Sequence, residues 1–75
     1  MAFVRQVELD DRSVKSLHPT QVVCKYMVSE TNGKKVLQLN TYGSDSREIP
    51  GKLSQTLQFD EAAAKQLAAI IAREF

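Results

Sequence analysis

The residues of this chain that can do chemistry are amides, hydroxyls, one tyrosine and a set of cations. Gln38, Asn40 and Tyr42 recur at every second position, and so do Thr56 and Gln58. That spacing puts each set on one face of an extended strand. Amides and hydroxyls in such a row can hydrogen-bond a base edge or a backbone. A tyrosine ring can stack an unpaired base. Tyr42 is the one aromatic that alternation places on this face. Lys25, Lys34, Lys35, Arg47 and Lys52 fall at a turn or a loop rim, where cations can meet phosphate.

Catalytic patterns are missing. The chain has no G-x-S-x-G, no Gly-rich phosphate loop, no C-x-x-C and no H-E-x-x-H. His18 is the only histidine, and no nucleophile or second acid lies near it in sequence. Without an oriented partner it reads as a loop histidine before a proline. Asp60 and Glu61 are adjacent carboxylates, and helix capping accounts for them. A pocket of the usual ~300 Å³ or more is hard to build in so short a chain. No enzyme and no cofactor is expected. Cys24 and His18 make two ligands where a structural zinc site needs four, so no metal is expected either.

The elements that would position these residues follow from the apolar pattern. Leu53, Leu57 and Phe59 alternate along a strand with Gln55 between them, and Asp60-Glu61 opens a helix. Ala63, Ala64, Leu67, Ala68, Ile70, Ile71 and Phe75 then form a stripe at three- and four-residue steps. Val22, Cys24, Tyr26 and Val28 alternate with Val23, Lys25, Met27 and Ser29 over Gln21 to Glu30. Both faces of that strand are partly apolar, which suits a central strand or one that meets a partner chain. Thr31-Asn32-Gly33-Lys34 is a hairpin turn, since Asn-Gly tolerates the positive φ of a type I′ turn. Lys35 to Tyr42 is the return strand. Phe3 to Leu9 alternates weakly and reads as an edge strand or, almost equally, as a disordered arm at the chain end. Asp10 to Pro19 is polar and without period. Gly43 to Gly51 is a long loop, and such loops are often functional or mobile. The expected fold is α+β: a four-stranded antiparallel sheet followed by one C-terminal helix, in a single domain over residues 1–75.

Ten Lys and Arg against nine Asp and Glu leave the charge near neutral, so any nucleic-acid surface must be a local patch. The N-terminus lacks the apolar run of a signal peptide and no stretch reaches membrane-spanning length, which points to the cytoplasm. Cys24 is then a reduced, half-buried thiol. A domain of this size buries only about 60% of its unfolded surface. With one cysteine and no metal set, association of two copies is the remaining way to complete a core, and a homodimer is expected.

Three runs carry a family resemblance. They are Lys35-Val36-Leu37-Gln38-Leu39-Asn40-Thr41-Tyr42, then Pro50-Gly51-Lys52, then Leu57-Gln58-Phe59-Asp60-Glu61 with Leu67. In this order they resemble the single-stranded-DNA-binding transcriptional coactivators of the positive cofactor four type, over roughly the last fifty residues. The runs Tyr42 to Arg47 and Ser54 to Gln58 also look like small bacterial proteins. The coactivator resemblance implies four strands and a helix, a homodimer, and single-stranded nucleic acid held across curved strands. It implies that Tyr42 stacks a base while Lys35 and Lys52 meet phosphate. Lys25, Lys34, Gln38, Asn40 and Arg47 complete the expected contact set. The competing reading is a small protein-interaction or accessory subunit that binds no nucleic acid. Near-neutral charge and the two apolar faces of Gln21 to Glu30 motivate it.

Overall fold

The structure is a computed structural model and describes residues 1–43 and 53–75. Its elements are β1 (Ala2–Val4), β2 (Val23–Thr31), β3 (Lys34–Tyr42), β4 (Leu53–Asp60) and α1 (Glu61–Glu74). β2 and β3 form a hairpin closed by Asn32 and Gly33, with φ of 53° and 76°. Positive φ at both central residues is the type I′ geometry that Asn-Gly predicts. β4 pairs antiparallel with β3 and leads into α1 with no residue between them.

The sheet order is β1-β4-β3-β2, and β1 runs parallel to β4. The sheet is therefore mixed, which corrects the expectation of a wholly antiparallel one. A tight hairpin would have set β1 beside β2. Instead the chain from Arg5 to Val22 lies between them, and it leaves the sheet alongside the helix, where the Val7 N–H donates to Gln66 Oε1 at 2.8 Å. That departure also ends the first strand at Val4 rather than at Leu9. β2 is an edge strand, not a central one, and Cys24 on it is exposed rather than half-buried.

Register fixes two faces. Val28, Leu37, Phe59 and Val4 share one row, and Tyr26, Leu39, Leu57 and Ala2 the next. This apolar face takes the helix. Met27, Gln38, Gln58 and Phe3 form a row on the opposite face, and Lys25, Asn40 and Thr56 form another. A bulge beside Thr41 pairs Tyr42 with Leu53 rather than Ser54. The extra residue shifts the strand's alternation, so Leu53 joins the row of Tyr42. This corrects the placement of Leu53 with Leu57.

Among the described residues, Phe59 and Ala63 are the buried hydrophobics. Helix α1 packs on β3 and β4, with Ala63 buried and Ala64, Leu67 and Ile70 half-buried. Ala68, Ile71 and Phe75, from the same stripe, are exposed. Asp60 caps the helix in an extended conformation, its Oδ1 accepting the Ala63 N–H at 2.8 Å. The Phe75 N–H closes the last turn on the Ile71 carbonyl at 2.9 Å. Lys65 lies 3.0 Å from Glu61 and holds that carboxyl below the usual glutamate value, with a smaller push from Lys35. A lowered carboxyl favours the fold at neutral pH, and the contribution is lost as pH falls through its titration. Among the described residues no helix is long and apolar enough to cross a membrane.

Removing the cap tests this strand-to-helix junction. Asp60→Ala should lower unfolding stability by ~1 kcal/mol in urea titration, with helical signal lost first. An unchanged midpoint would show that α1 is held by packing alone.

Candidate nucleic-acid interface

The face opposite the helix holds the row of amides and hydroxyls foreseen from the spacing. Strand pairing turns that row into a connected network. Gln58 Nε2 donates to Gln38 Oε1 at 2.9 Å, and Gln38 Nε2 donates to Asn40 Oδ1 at 3.1 Å. Thr56 Oγ1 donates to the same Asn40 oxygen at 2.9 Å. Asn40 and Thr56 are only 5% and 7% exposed. The pair is thus structural floor rather than an open row of donors, a difference from the exposed polar face expected. Buried polar groups must be satisfied, and this cross-strand network satisfies them.

Tyr42 lies at one end of this face, half-buried. Lys25 sits diagonally across from it on β2, with Nζ 5.0 Å from the ring centroid. Diagonal neighbours on an antiparallel pair are within reach of long side chains. A cation over a ring that solvent still reaches is worth ~0.5–1 kcal/mol. The contact therefore holds a positive charge beside the ring at modest strength.

Sequence reasoning missed a second aromatic here. Phe3 pairs with Gln58 in β1 and so shares the face of Gln38 and Gln58. It is exposed and lines a groove at the hairpin end with Arg5, Asn32, Lys34, Lys35 and Asp60. Only the parallel pairing of β1 with β4 puts Phe3 there, and nothing in a weakly alternating N-terminal run signals that pairing. The face carries Tyr42 with Lys25 at one end, and Phe3 at its β1 margin in a groove shared with Arg5 and Lys34.

The expected contact residues do not all fall together. Lys25 pairs with Asn40 and Lys34 with Thr31, six positions apart along β3. At ~3.3 Å per residue they stand ~20 Å from one another. Lys35 belongs to the row of Leu37 and lines a groove on the helix side with Val28, Leu37, Ala64, Lys65 and Ala68. Gln38 and Asn40 bond within the network. Arg47 and Lys52, with the Gly43 to Gly51 loop past its first residue, lie outside the described residues.

His18 is exposed, and its Nδ1 accepts the Thr20 N–H at 3.1 Å, a local turn contact. Asp10 takes the Arg12 N–H at 2.9 Å, which holds its carboxyl below the usual aspartate value. Among the described residues no three His, Cys, Asp or Glu side chains gather into a metal-binding group. No family model, curated protein or solved structure matches this chain.

The network predicts coupled stability effects. Asn40→Ala leaves the Thr56 hydroxyl and the Gln38 amide without their shared acceptor, and should cost ~1–3 kcal/mol. Thr56→Val alone should cost less. In the double variant the two losses should fall short of additive by ~0.5 kcal/mol or more. Strict additivity in urea unfolding would mean that the Thr56–Asn40 bond carries no stability.

Proposed function

We propose that this chain is a non-catalytic, homodimeric module that binds single-stranded nucleic acid on the face opposite its helix. The observation that carries the reading is the Lys25 ammonium held 5.0 Å over the Tyr42 ring. A single strand offers bases to stack and phosphates to pair, and that contact supplies both partners side by side. Phe3, at the β1 margin of the face, adds a second ring in a groove that Arg5 and Lys34 also line. The Gln38–Asn40–Thr56–Gln58 network fixes the floor between them. In this reading Asn40 positions the strands, while Tyr42, Lys25, Phe3 and Lys34 touch the ligand. A ring stacks on any base, so little sequence preference is expected. The resemblance to the positive cofactor four type of coactivator points the same way.

Exposed surface supports the homodimer part of this reading. The chain exposes 6751 Å², whereas a folded monomer of its mass exposes ~4,600 Å². Obligate dimers bury roughly 2,000–5,000 Å² over both partners together, and an excess of ~2,100 Å² per chain, or ~4,200 Å² for the pair, falls within that range.

One observation favours the second reading, a protein-interaction subunit. Among the described residues the outer edge of β2 pairs with no strand along nine residues. Such an edge can accept a strand from another protein.

Fluorescence anisotropy of a labelled single strand of ~20 nucleotides, at about 50 and about 200 mM salt with a duplex control, separates the two. Salt-sensitive binding that prefers the single strand is expected. Tyr42→Ala should weaken it by roughly 5- to 150-fold, the equivalent of ~1–3 kcal/mol for one stacked base. Lys25→Ala should make the salt dependence shallower by ~0.7 in log–log slope. Lys65→Ala, on the helix side, should leave affinity unchanged. Binding absent at both salts, or untouched by Tyr42→Ala and Lys25→Ala, would overturn the nucleic-acid reading in favour of the β2 edge.

A further inference from the structure

We infer that the segment between β1 and β2, Arg5 to Val22, is an arm that each chain lays across the uncovered apolar surface of a second copy. The inference rests on the homodimer reading and adds which element makes the embrace.

The arm carries apolar side chains that its own chain leaves bare. Leu9, Val14 and Leu17 are 98%, 86% and 90% exposed. Scattered exposed leucines are ordinary on a protein surface. Three almost fully bare ones on a single connecting segment are not, because fully burying each is worth a tenfold or greater change in an equilibrium. The segment is also not shapeless. Its start is tied to the helix by the Val7–Gln66 bond. Turns at Asp10–Arg12 and His18–Thr20 punctuate its course. Every residue from Glu8 to Val22 is nevertheless exposed.

The receiving surface is on the same molecule type. Tyr26 and Val28 on β2, Leu57 on β4, and Ile71 and Phe75 on α1 are exposed. A groove of about 270 Å³ between β2–β3 and the helix continues this surface past Val28, Ala64 and Ala68. The patch is apolar, as the arm's three side chains require. A second copy brings an identical arm and an identical patch, so one two-fold operation covers both patches. The surface excess of the isolated chain is the size that such a mutual interface would remove.

The test uses the full chain. In sedimentation equilibrium, Leu9→Ser, Val14→Ser and Leu17→Ser together should raise the dimer dissociation constant at least a hundredfold, with circular dichroism unchanged. A second measurement does not depend on those variants. An equimolar mixture of ¹⁴N- and ¹⁵N-labelled protein, treated with a lysine cross-linker, should give Lys15–Lys65 peptides pairing light with heavy chains. A dimer that is equally tight in the triple variant, or Lys15–Lys65 links formed only within one isotope, overturns the arm and leaves the dimer standing. A native chain that sediments as a monomer overturns both.

Discussion

The geometry of one helix on one sheet governs this molecule. A helix is ~10 Å across with its side chains, and neighbouring strands are ~4.8 Å apart. One helix therefore covers two strands. Here those are β3 and β4, because α1 follows β4 without a linker and folds back over it. β2 is left mostly uncovered, with Tyr26 and Val28 exposed on the helix-side face. The helix also runs on to Ile71, which is half exposed, and to Phe75, which is fully exposed. The buried hydrophobics among the described residues are Phe59 and Ala63, a small core for a chain of this length.

The opposite face solves a different problem. A polar face on a thin sheet would normally be left to water. Here pairing brings Gln38, Asn40, Thr56 and Gln58 into one hydrogen-bonded set, so the middle of the face is satisfied from within. The rings with cations nearby lie around this network: Tyr42 beside Lys25 at one end, and Phe3 at the β1 margin in a groove with Arg5 and Lys34. The proposed division of labour follows from this: the apolar face for a second copy, the polar face for a single strand.

Much of the fold was legible because its signals are local. Asn32-Gly33 sets a type I′ turn through positive φ. Asp60 caps a helix three residues from the N–H it accepts. Alternation over Lys35 to Tyr42 separates Leu37 and Leu39 from Gln38, Asn40 and Tyr42, as the register does. What was not legible depends on partners far apart in sequence. The parallel β1–β4 pairing joins the two ends of the chain, and no short-range pattern encodes it. Phe3 was lost from the candidate site for that reason alone. The bulge at Thr41 is likewise invisible to a period-two reading, and it moved Leu53. Burial of Asn40 and Thr56 could not be read either, since alternation says which face a residue occupies and not whether that face is covered.

The account stands or falls on whether one chain is incomplete by itself. Its most direct test is the thermal midpoint followed over a wide range of protein concentration. A fold completed by a second copy gains stability by mass action, so the midpoint should climb steadily with concentration. A midpoint that stays fixed from the lowest to the highest concentration would mean that a single chain folds alone with its apolar face bare, and would contradict the central claim.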